Sequence, residues 1–316
     1  MNRLSKGSAS LLEIDESAHG QRIDNFLVRT LKGVPRSHIY RILRSGEVRV
    51  NSGRIGAGYR LSAGDRVRIP PVRTAPAAPG QAVAGPPLGH APLFEDEWLL
   101  AIDKPAGIAV HGGSGVAMGV IERLRRERPQ QPFLELVHRL DRETSGVLLL
   151  AKRRSALTNV HAQLREGRVD KRYRVLVSGH WEKKRHSVRL PLRKYVTREG
   201  ERRVVVDERD GAVAMTVFEL VGHYDGFSLL EARLKTGRTH QIRVHLAHLG
   251  FPIAGDGKYG DFPANKALEP QGLKRMFLHA VSVRLKHPRD GQALFIEAPL
   301  PEELKRFLES RKLPVQ

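Results

Sequence analysis

A charged segment between two largely apolar runs is the part of this sequence whose residue types could do chemistry. It reads His138-Arg-Leu-Asp-Arg-Glu-Thr-Ser-Gly146, and residues 134–137 and 147–150 flank it. Runs of that length and composition predict buried strands. A polar loop that two core strands hold in place is a common location for catalytic groups, so this segment is the first candidate site.

Asp141 is the residue of this segment that could act as a nucleophile or a base. It stands between Arg139 and Arg142, and two neighbouring cations favour an ionised carboxylate. A structural salt bridge would use the same residue types, so the local pattern leaves both interpretations open.

Other kinds of catalytic group are restricted by composition. The chain contains no cysteine, which excludes thiolate nucleophiles, disulfides and cysteine-ligated zinc. The 14 histidines form no HExxH motif, and the nearest pair, His245 and His248, has no acidic residue close in sequence. The spacing therefore predicts no metal site.

The elements that must position the loop belong to a strand-rich region that begins at residue 93. Its strand-like runs are WLLAIDKPAG, FLELVH, GVLLLAK, KRYRVLV, FSLLEARL and ALFIEAPL. Helical patterns cover residues 116–128, 155–166 and 239–249. This mixture predicts an α+β domain of catalytic size over residues 93–316.

A smaller α/β module precedes that domain. Apolar residues between Ile23 and Leu31 recur at helical spacing, and a second helix is predicted over residues 35–45. Two short strands follow, over residues 47–51 and 65–69. The module would end at residue 75, and the Pro-, Ala- and Gly-rich residues 76–92 predict an extended linker.

The second helix of this module should present cations to solvent. Arg36, Arg41 and Arg44 lie away from its apolar stripe, and residues 1–75 contain 14 basic and six acidic side chains. For the helix taken by itself, a basic face that is merely solvated would be a sufficient explanation. Over the whole chain, however, 54 Lys and Arg oppose 34 Asp and Glu, and the formal charge of +20 suits a polyanionic partner such as nucleic acid.

A membrane partner is not expected. No apolar run approaches the roughly 20 residues that span a bilayer, and the first ten residues lack the apolar core of a signal peptide. These features predict a soluble, cytoplasmic protein.

Two parts of the chain resemble known families. The order helix, PRSHIYRILRSGEVRVN, strand and LSAGDRVRI resembles the S4 RNA-binding domain. The segment HRLDRETSGVLLLAK resembles the active-site motif of the RluA family of pseudouridine synthases, whose catalytic aspartate corresponds to Asp141. Further matches follow in the family's order, namely DKPAGIAVHGGSG (103–115), KRY (171–173), TGRTHQIRVH (236–245), GDGKY (255–259) and RMFLHA (275–280).

The resemblance implies a mixed, largely antiparallel sheet with flanking helices and an enzyme that isomerises uridine in RNA. The N1–C1′ bond is cut, the uracil turns, and C5 is joined to C1′ without a metal or a cofactor. A target base inside folded RNA must be flipped into a pocket. Asp141 would start the reaction by attack on C1′, by addition to C6 or by removal of the 2′ proton, and the sequence leaves these three routes open.

Tyr173 and Leu278 are the residues expected to hold the base. On the KRYRVLV strand, Tyr173 shares a face with Lys171 and can present its ring over the uracil. Tyr173 could also act as a base at C5. The resemblance implies that Leu278 packs on the other side of the uracil.

Two arginines could pair with the catalytic carboxylate. Thr239 is a plausible N-cap for the helix that follows it, so Arg238 and Arg243 would lie near a helix N-terminus, where anions bind. The resemblance favours Arg243 as the partner of Asp141, with Arg238 second. Arg139, Lys171 and Arg238 are expected to bind substrate.

The implied partner is large-subunit ribosomal RNA, bound by a monomer. Two other functions would fit the basic charge, namely a non-catalytic assembly factor that binds ribosomal RNA and a pseudouridine synthase that acts on transfer RNA. The presence of Asp141, Tyr173 and Arg243 favours catalysis over the first. The S4-like module favours ribosomal over transfer RNA.

Overall fold

The computed structural model describes residues 8–31, 33–72, 91–112 and 118–313. Two compact units divide the chain, residues 1–85 and 86–316, and each is described by itself. Residues 76–90 of the expected linker lie outside the described residues, so the domain limits 1–75, 76–92 and 93–316 remain predictions. Within the described part of the chain, no helix is long and apolar enough to cross a bilayer.

The N-terminal unit is a four-stranded antiparallel sheet with two α-helices. Its elements are β1 (Ser10–Glu13), α1 (Ile23–Thr30), α2 (Arg36–Arg44), β2 (Arg49–Val50), β3 (Gly53–Arg54) and β4 (Arg66–Ile69). The sheet order is β1-β4-β2-β3. Both expected helices and both expected strands are present, whereas β1 and β3 were not predicted.

Helix α2 separates its apolar and basic residues as the sequence pattern predicts. Ile39, Ile42 and Leu43 are buried in the core of this unit. The arginines of the helix, Arg36, Arg41 and Arg44, are all exposed. The helix therefore offers guanidinium groups to solvent on a backbone that core packing holds in place.

The larger unit contains the remaining strands and helices. The strands are β5 (Phe94–Glu95), β6 (Leu99–Lys104), β7 (Glu135–Leu136), β8 (Ser145–Ala151), β9 (Asp170–Ser178), β10 (Arg185–Arg189), β11 (Leu192–Val196), β12 (Arg202–Val206), β13 (Met215–Tyr224), β14 (Phe227–Leu234), β15 (Leu278–Lys286) and β16 (Ala293–Glu297). The helices are α3 (Val120–Glu127), α4 (Arg154–Arg165), α5 (Gln241–His248), α6 (Phe262–Leu268) and α7 (Glu302–Glu309).

Ten of these strands form one sheet. The order is β10-β13-β14-β9-β15-β8-β6-β5, with β16 paired to β15 and β7 paired to β8. Its strand pairs are antiparallel apart from β8 with β15, and β11 and β12 form a separate antiparallel ribbon. The expected α+β class, with a mixed, largely antiparallel sheet and flanking helices, is confirmed.

Strand β8 lies inside this sheet, and all seven of its residues are buried. Leu148 and Leu150 belong to the same core cluster as Ile242 of α5, while Val147 and Leu149 belong to the cluster that includes Val160 of α4. Burial on both faces explains why the sequence here is a continuous apolar run rather than an alternating one.

The sequence patterns missed six strands of this unit, β5, β10, β11, β12, β13 and β15, and two helices, α6 and α7. Strands β10 to β12 read RHSVR, LRKYV and RRVVV, and most of their side chains are charged or exposed. Pairing with neighbouring strands, which is not visible in a local window, determines such segments. This accounts for the absence of β10, β11 and β12 from the prediction.

Candidate active site

The segment between β7 and β8 forms a loop that hydrogen bonds tie to its neighbours. Lys104 Nζ donates to the carbonyl oxygen of Arg142 at 3.1 Å, and the same carbonyl accepts the backbone N–H of Gly107 at 2.8 Å. The backbone N–H of Thr144 donates to the carbonyl of Asp141 at 3.1 Å, which closes a turn. These bonds fix the backbone that carries the Asp141 carboxylate.

A glycine brings this loop close to the start of β15. The loop enters β8 at Gly146, whose φ is +108°. A Cβ there would lie 2.2 Å from the carbonyl oxygen of Ala280 on β15. Since no side chain fits, glycine is needed for the close approach of the two strands, and Leu278 at the beginning of β15 is thereby brought to the same region as Asp141.

A cavity of about 340 Å³ opens beside Asp141. We call it the Asp141 cavity, and its walls come from the loop, the end of α4 and the segment after it, β9, the connection from β14 to α5, α5 itself and the first residue of β15. Pockets for small ligands usually measure about 300–1,000 Å³, so its size suits a single nucleotide. The cavity is lined by all seven site residues expected in this unit, namely Asp141, Tyr173, Arg243, Arg139, Lys171, Arg238 and Leu278.

Arg243 stands between two carboxylates and binds them unequally. Its Nε and Nη2 donate to the two oxygens of Asp256 at 2.8 and 2.7 Å, whereas Nη1 lies 3.4 Å from Asp141 Oδ2. Asp256 also accepts the backbone N–H groups of Lys258 and Tyr259. A bidentate pair of this kind fixes the guanidinium plane. Asp141 therefore has a nearby cation but keeps oxygen lone pairs that face the cavity.

The burial of these groups sets their charges. Arg243 and Asp256 are both buried. Desolvation raises the pKa of Asp256, but the Arg243 guanidinium beside it outweighs this effect and holds the pKa below its usual range. The carboxylate in turn keeps the pKa of Arg243 above its usual range against the same desolvation. The pair is consequently ionised, and a positive charge lies next to Asp141.

Helix α5 begins at Gln241, and the prediction that Thr239 is its N-cap is wrong. His240 occupies the N-cap position with a φ of +54°. The side-chain oxygen of Gln241 accepts a hydrogen bond from the hydroxyl of Thr236, in the turn before the helix, at 2.7 Å. His240 Nδ1 lies 2.8 Å from the hydroxyl oxygen of Tyr259. These side-chain bonds stabilise the left-handed residue that replaces a conventional cap.

His240 faces Asp141 as a neutral ring. Burial lowers its pKa to about 4. The Tyr259 hydroxyl accepts the backbone N–H of Val204 at 2.9 Å and can donate its own proton to His240 Nδ1, an arrangement in which the ring proton is on Nε2. That Nε2 lies 3.9 Å from Asp141 Oδ2. Arg243, not His240, therefore supplies the positive charge at Asp141.

Tyr173 forms part of the apolar wall of the cavity. It lies on β9 with 6% of its surface exposed and belongs to the core cluster that contains Leu278. Burial, and after it the negative charge of Asp141, raises the pKa of Tyr173 above its usual range. The phenol therefore stays protonated at neutral pH, which argues against a role as a base in the resting site and leaves the ring face as its main contribution.

The other expected residues take different positions around the cavity. Lys171 lies two residues before Tyr173 on β9, and burial lowers the pKa of its ammonium group. Arg139 is exposed at the edge. Arg238 is also exposed, and its Nε donates to the carbonyl of Val213 at 3.1 Å. Of the two arginines considered as partners of Asp141, the structure brings Arg243 into contact with it.

Arg36, Arg41 and Arg44 belong to the N-terminal unit and not to this cavity. Among the residues the structure describes, no group of three or more His, Asp or Glu side chains is arranged to hold a metal ion.

Three residues of this site had no role in the sequence-based prediction, namely Asp256, His240 and Tyr259. All three lie in motifs that the sequence analysis quoted, TGRTHQIRVH and GDGKY. Their contacts join segments that are far apart in the chain, so no local spacing could have indicated them.

Comparison with known proteins places this chain among RNA-modifying enzymes. Residues 98–248 match the family model described as RNA pseudouridylate synthase, and residues 21–67 match the S4 domain. The chain is 52% identical to "Ribosomal large subunit pseudouridine synthase C" of Pasteurella multocida, with 95% of this chain and 93% of that protein covered. The protein of the same name from Escherichia coli K12 is 50% identical, with 96% of each covered.

A solved structure gives the same result for the fold. The structure of "Human RNA Pseudouridylate Synthase Domain Containing 1" superposes with a TM-score of 0.58 and 24% identity over 71% of this chain and 89% of that chain. The family and the S4 domain that the motifs predicted are thus both confirmed.

Proposed function

This chain belongs to the RNA pseudouridylate synthase family and isomerises uridine in RNA, and we propose that its substrate is large-subunit ribosomal RNA. Two relatives of at least 50% identity carry the name of a large-subunit synthase, and each alignment covers nearly the whole of both proteins. The S4 match and the charge of +20 support an extended RNA contact, because basic side chains bind the phosphate backbone whatever its sequence.

The observation that carries the residue assignments is the position of Asp141 in the wall of a nucleotide-sized cavity, 3.4 Å from the buried cation Arg243. We assign to Asp141 the carboxylate that starts the reaction. Attack on C1′, addition to C6 and removal of the 2′ proton each need an ionised carboxylate beside the flipped uridine. Arg243 places a positive charge beside that carboxylate and orients it, and Asp256 keeps Arg243 in place.

The base is held by the apolar part of the cavity. Once the N1–C1′ bond is cut, the uracil must turn before C5 joins C1′, and it must not leave meanwhile. Tyr173 offers a ring face and Leu278 an aliphatic surface in the same cavity, and apolar contacts of this kind leave the uracil free to turn in the plane of its ring. In the product, C5 has lost its proton and N1 carries one, so no redox partner is required.

Arg139, Lys171 and Arg238 are proposed to bind the phosphates and sugar around the flipped nucleotide. Arg36, Arg41 and Arg44 of the N-terminal unit are proposed to bind RNA further from the target. We propose that a monomer performs all of these contacts without a cofactor.

Mapping of pseudouridine in ribosomal RNA, with and without the gene for this chain, tests the proposed substrate. Particular uridines of the large-subunit RNA should be unmodified in the deletion strain and modified again when the gene is restored. Restoration by an Asp141→Asn gene provides the control for catalysis. If the missing modifications were found in transfer RNA, with ribosomal RNA unchanged, the proposed substrate would be wrong while the enzyme class stood.

A further inference from the structure

A second cavity shares a wall with the Asp141 cavity. It has a volume of about 880 Å³, and Arg139, Leu140, Asp141, His240 and Arg243 line both cavities. We call it the flanking groove. Beyond the shared wall it is bounded by α6, by the loop around Gly255 and by the segment that leads into β15. A strand whose target nucleotide entered the Asp141 cavity would have its neighbouring nucleotides at this opening.

The groove has an excess of unpaired positive charge. Arg142 pairs with Glu143, and Lys258 pairs with Glu201, so these four charges compensate one another. Among the described residues, the charged lining side chains that have no ion-pair partner are basic, except for Glu269, which follows the end of α6. The unpaired cations are Arg139, Lys266 and Lys274. This balance suits an anionic chain.

One aromatic side chain stands exposed in this basic setting. Phe262, the first residue of α6, lines the groove with 53% of its surface accessible. Among the described lining residues it is the single Phe, Tyr or Trp. Lys266 follows four residues later on the same face of the helix and also lines the groove. The helix thus presents a ring and an ammonium group side by side.

The backbone beneath Phe262 is well fixed. Asp261 caps α6 by accepting the N–H of Ala264 at 3.0 Å, and Pro263 restricts the first turn. Asn265 accepts the N–H of Gly255 at 2.7 Å and donates to the carbonyl of Asp256 at 2.9 Å. Since Asp256 also holds Arg243, the helix that carries Phe262 is tied to the catalytic centre. A platform fixed in this way loses little entropy on binding.

We propose that the flanking groove binds the unpaired nucleotides next to the target uridine, with Phe262 stacking on one flanking base and Lys266 contacting its phosphate. This proposal rests on the proposed function, since it assumes an RNA substrate whose target lies in the Asp141 cavity. Stacking on an exposed ring is how proteins hold single-stranded bases without reading their sequence, and nearby cations follow the backbone. A groove that continues the catalytic cavity and combines both features has the chemistry such a strand requires.

The test compares Phe262→Leu with Phe295→Leu. Phe295 is a matched control because it is equally exposed, at 52%, and lines neither cavity. The substrate is an RNA fragment around a uridine that the wild-type protein modifies, with 2-aminopurine placed at each flanking position in turn. Wild-type protein should quench the fluorophore strongly at one flanking position. Phe262→Leu should lose that quenching, and Phe295→Leu should keep it.

Affinity and rate separate this role from catalysis. Loss of one stacked base should weaken RNA binding by roughly five- to 150-fold in Phe262→Leu, while the single-turnover rate at saturating RNA stays within about twofold of wild type. Phe262→Trp, which keeps a ring, should restore the affinity. Equal affinity and equal quenching in wild type and Phe262→Leu would overturn the proposal, as would a rate loss at saturation without an affinity loss. Absence of pseudouridine in the wild-type reaction would instead contradict the proposed function.

Discussion

Arg243 contacts two carboxylates in this site, and the difference between the two contacts is compatible with the catalytic role proposed for Asp141. Asp256 takes two short hydrogen bonds, and Asp141 receives one longer contact at 3.4 Å. A tightly paired Asp141 would be oriented but less reactive, because its lone pairs would be engaged. Asp256 is therefore best understood as a positioning residue.

Replacement of Asp256 by Asn tests that division. Asn can still accept the N–H groups of Lys258 and Tyr259, but Arg243 loses its main charge partner and is free to move to Asp141. We expect kcat to fall by about tenfold or more while KM for RNA stays within about twofold of wild type, because an arginine that engages the lone pairs of Asp141 impairs the chemical step and leaves the RNA contacts unchanged.

The matched control is Asp261→Asn, which keeps a capping side chain on α6 and does not touch Arg243. Its kcat and its KM for RNA should both be those of wild type. Thermal unfolding must be measured for both variants, since an unpaired buried arginine costs stability. A wild-type kcat in a folded Asp256→Asn protein would show that Asp256 is merely structural.

Tyr173 carries the second prediction for a single residue. Tyr173→Leu removes an aromatic contact worth on the order of 1–3 kcal/mol for a stacked base. Turnover should suffer more than overall RNA affinity, because phosphate contacts elsewhere remain. Tyr173→Phe keeps the ring and should retain most activity if the raised pKa of Tyr173 reflects a hydroxyl that stays protonated. Normal single-turnover rates in Tyr173→Leu would refute the assignment.

Among the secondary-structure elements, helix α2 has the simplest proposed role, namely an exposed row of guanidinium groups. Arg36, Arg41 and Arg44 changed together to Gln should weaken RNA binding and reduce the slope of log affinity against log salt by about 2, since each lost phosphate contact contributes about 0.7 for single strands. The buried residues of α2 are untouched, so the unit should remain folded.

A control of equal charge change shows whether position matters. Arg284, Lys286 and Arg289 are exposed around the turn between β15 and β16 and line neither cavity. Their replacement by Gln should leave the salt slope nearly unchanged. Equal slopes for the two triple variants would indicate that α2 contributes only to the general charge of the chain.

An element could be predicted from sequence when its pattern lies among neighbouring residues, and could not when it depends on contacts with distant residues. The stripe of Ile39, Ile42 and Leu43 and the apolar run in β8 are local patterns, and the structure agrees with both. The left-handed His240 is different, because it depends on Tyr259, which is 19 residues away. The link from Arg243 to Asp256 likewise spans 13 residues. Motif resemblance indicated Asp141 and Arg243, whereas the contacts that hold them form only in the folded chain.

Over the catalytic unit as a whole, buried neutral histidines should make stability depend on pH. His279 is fully buried, with Nδ1 2.8 Å from the Ser145 hydroxyl and Nε2 3.2 Å from the carbonyl of Ala298. Burial lowers its pKa from 6.5 to about 4. The same effect lowers the pKa of His138 to about 3. On acidification, the histidines of the unfolded chain are protonated before those of the folded chain. The stability that each neutral ring contributes is therefore complete above about pH 6.5 and is lost as pH falls through the pKa of the folded state.

The free energy of unfolding should therefore decrease on acidification from pH 6.5 to about 4, and His279 alone should account for roughly 3 kcal/mol of that decrease at 1.36 kcal/mol per pKa unit. His279→Gln should be less stable at pH 7 but lose less between these two pH values. The exposed His248 provides the control, and His248→Gln should follow wild type. Parallel curves for His279→Gln and wild type would contradict the linkage.

The measurement that tests the central claim most directly is the activity and RNA affinity of Asp141→Asn. The substitution preserves size and hydrogen bonding but removes the charge and the reactive oxygen, so single-turnover formation of pseudouridine should fall by roughly 10²- to 10⁴-fold or below detection. Affinity should be equal to that of wild type or slightly higher, because RNA is anionic and one negative charge has been removed. Loss of activity with retained binding would locate the defect in the chemical step. Wild-type amounts of pseudouridine from Asp141→Asn would contradict the account.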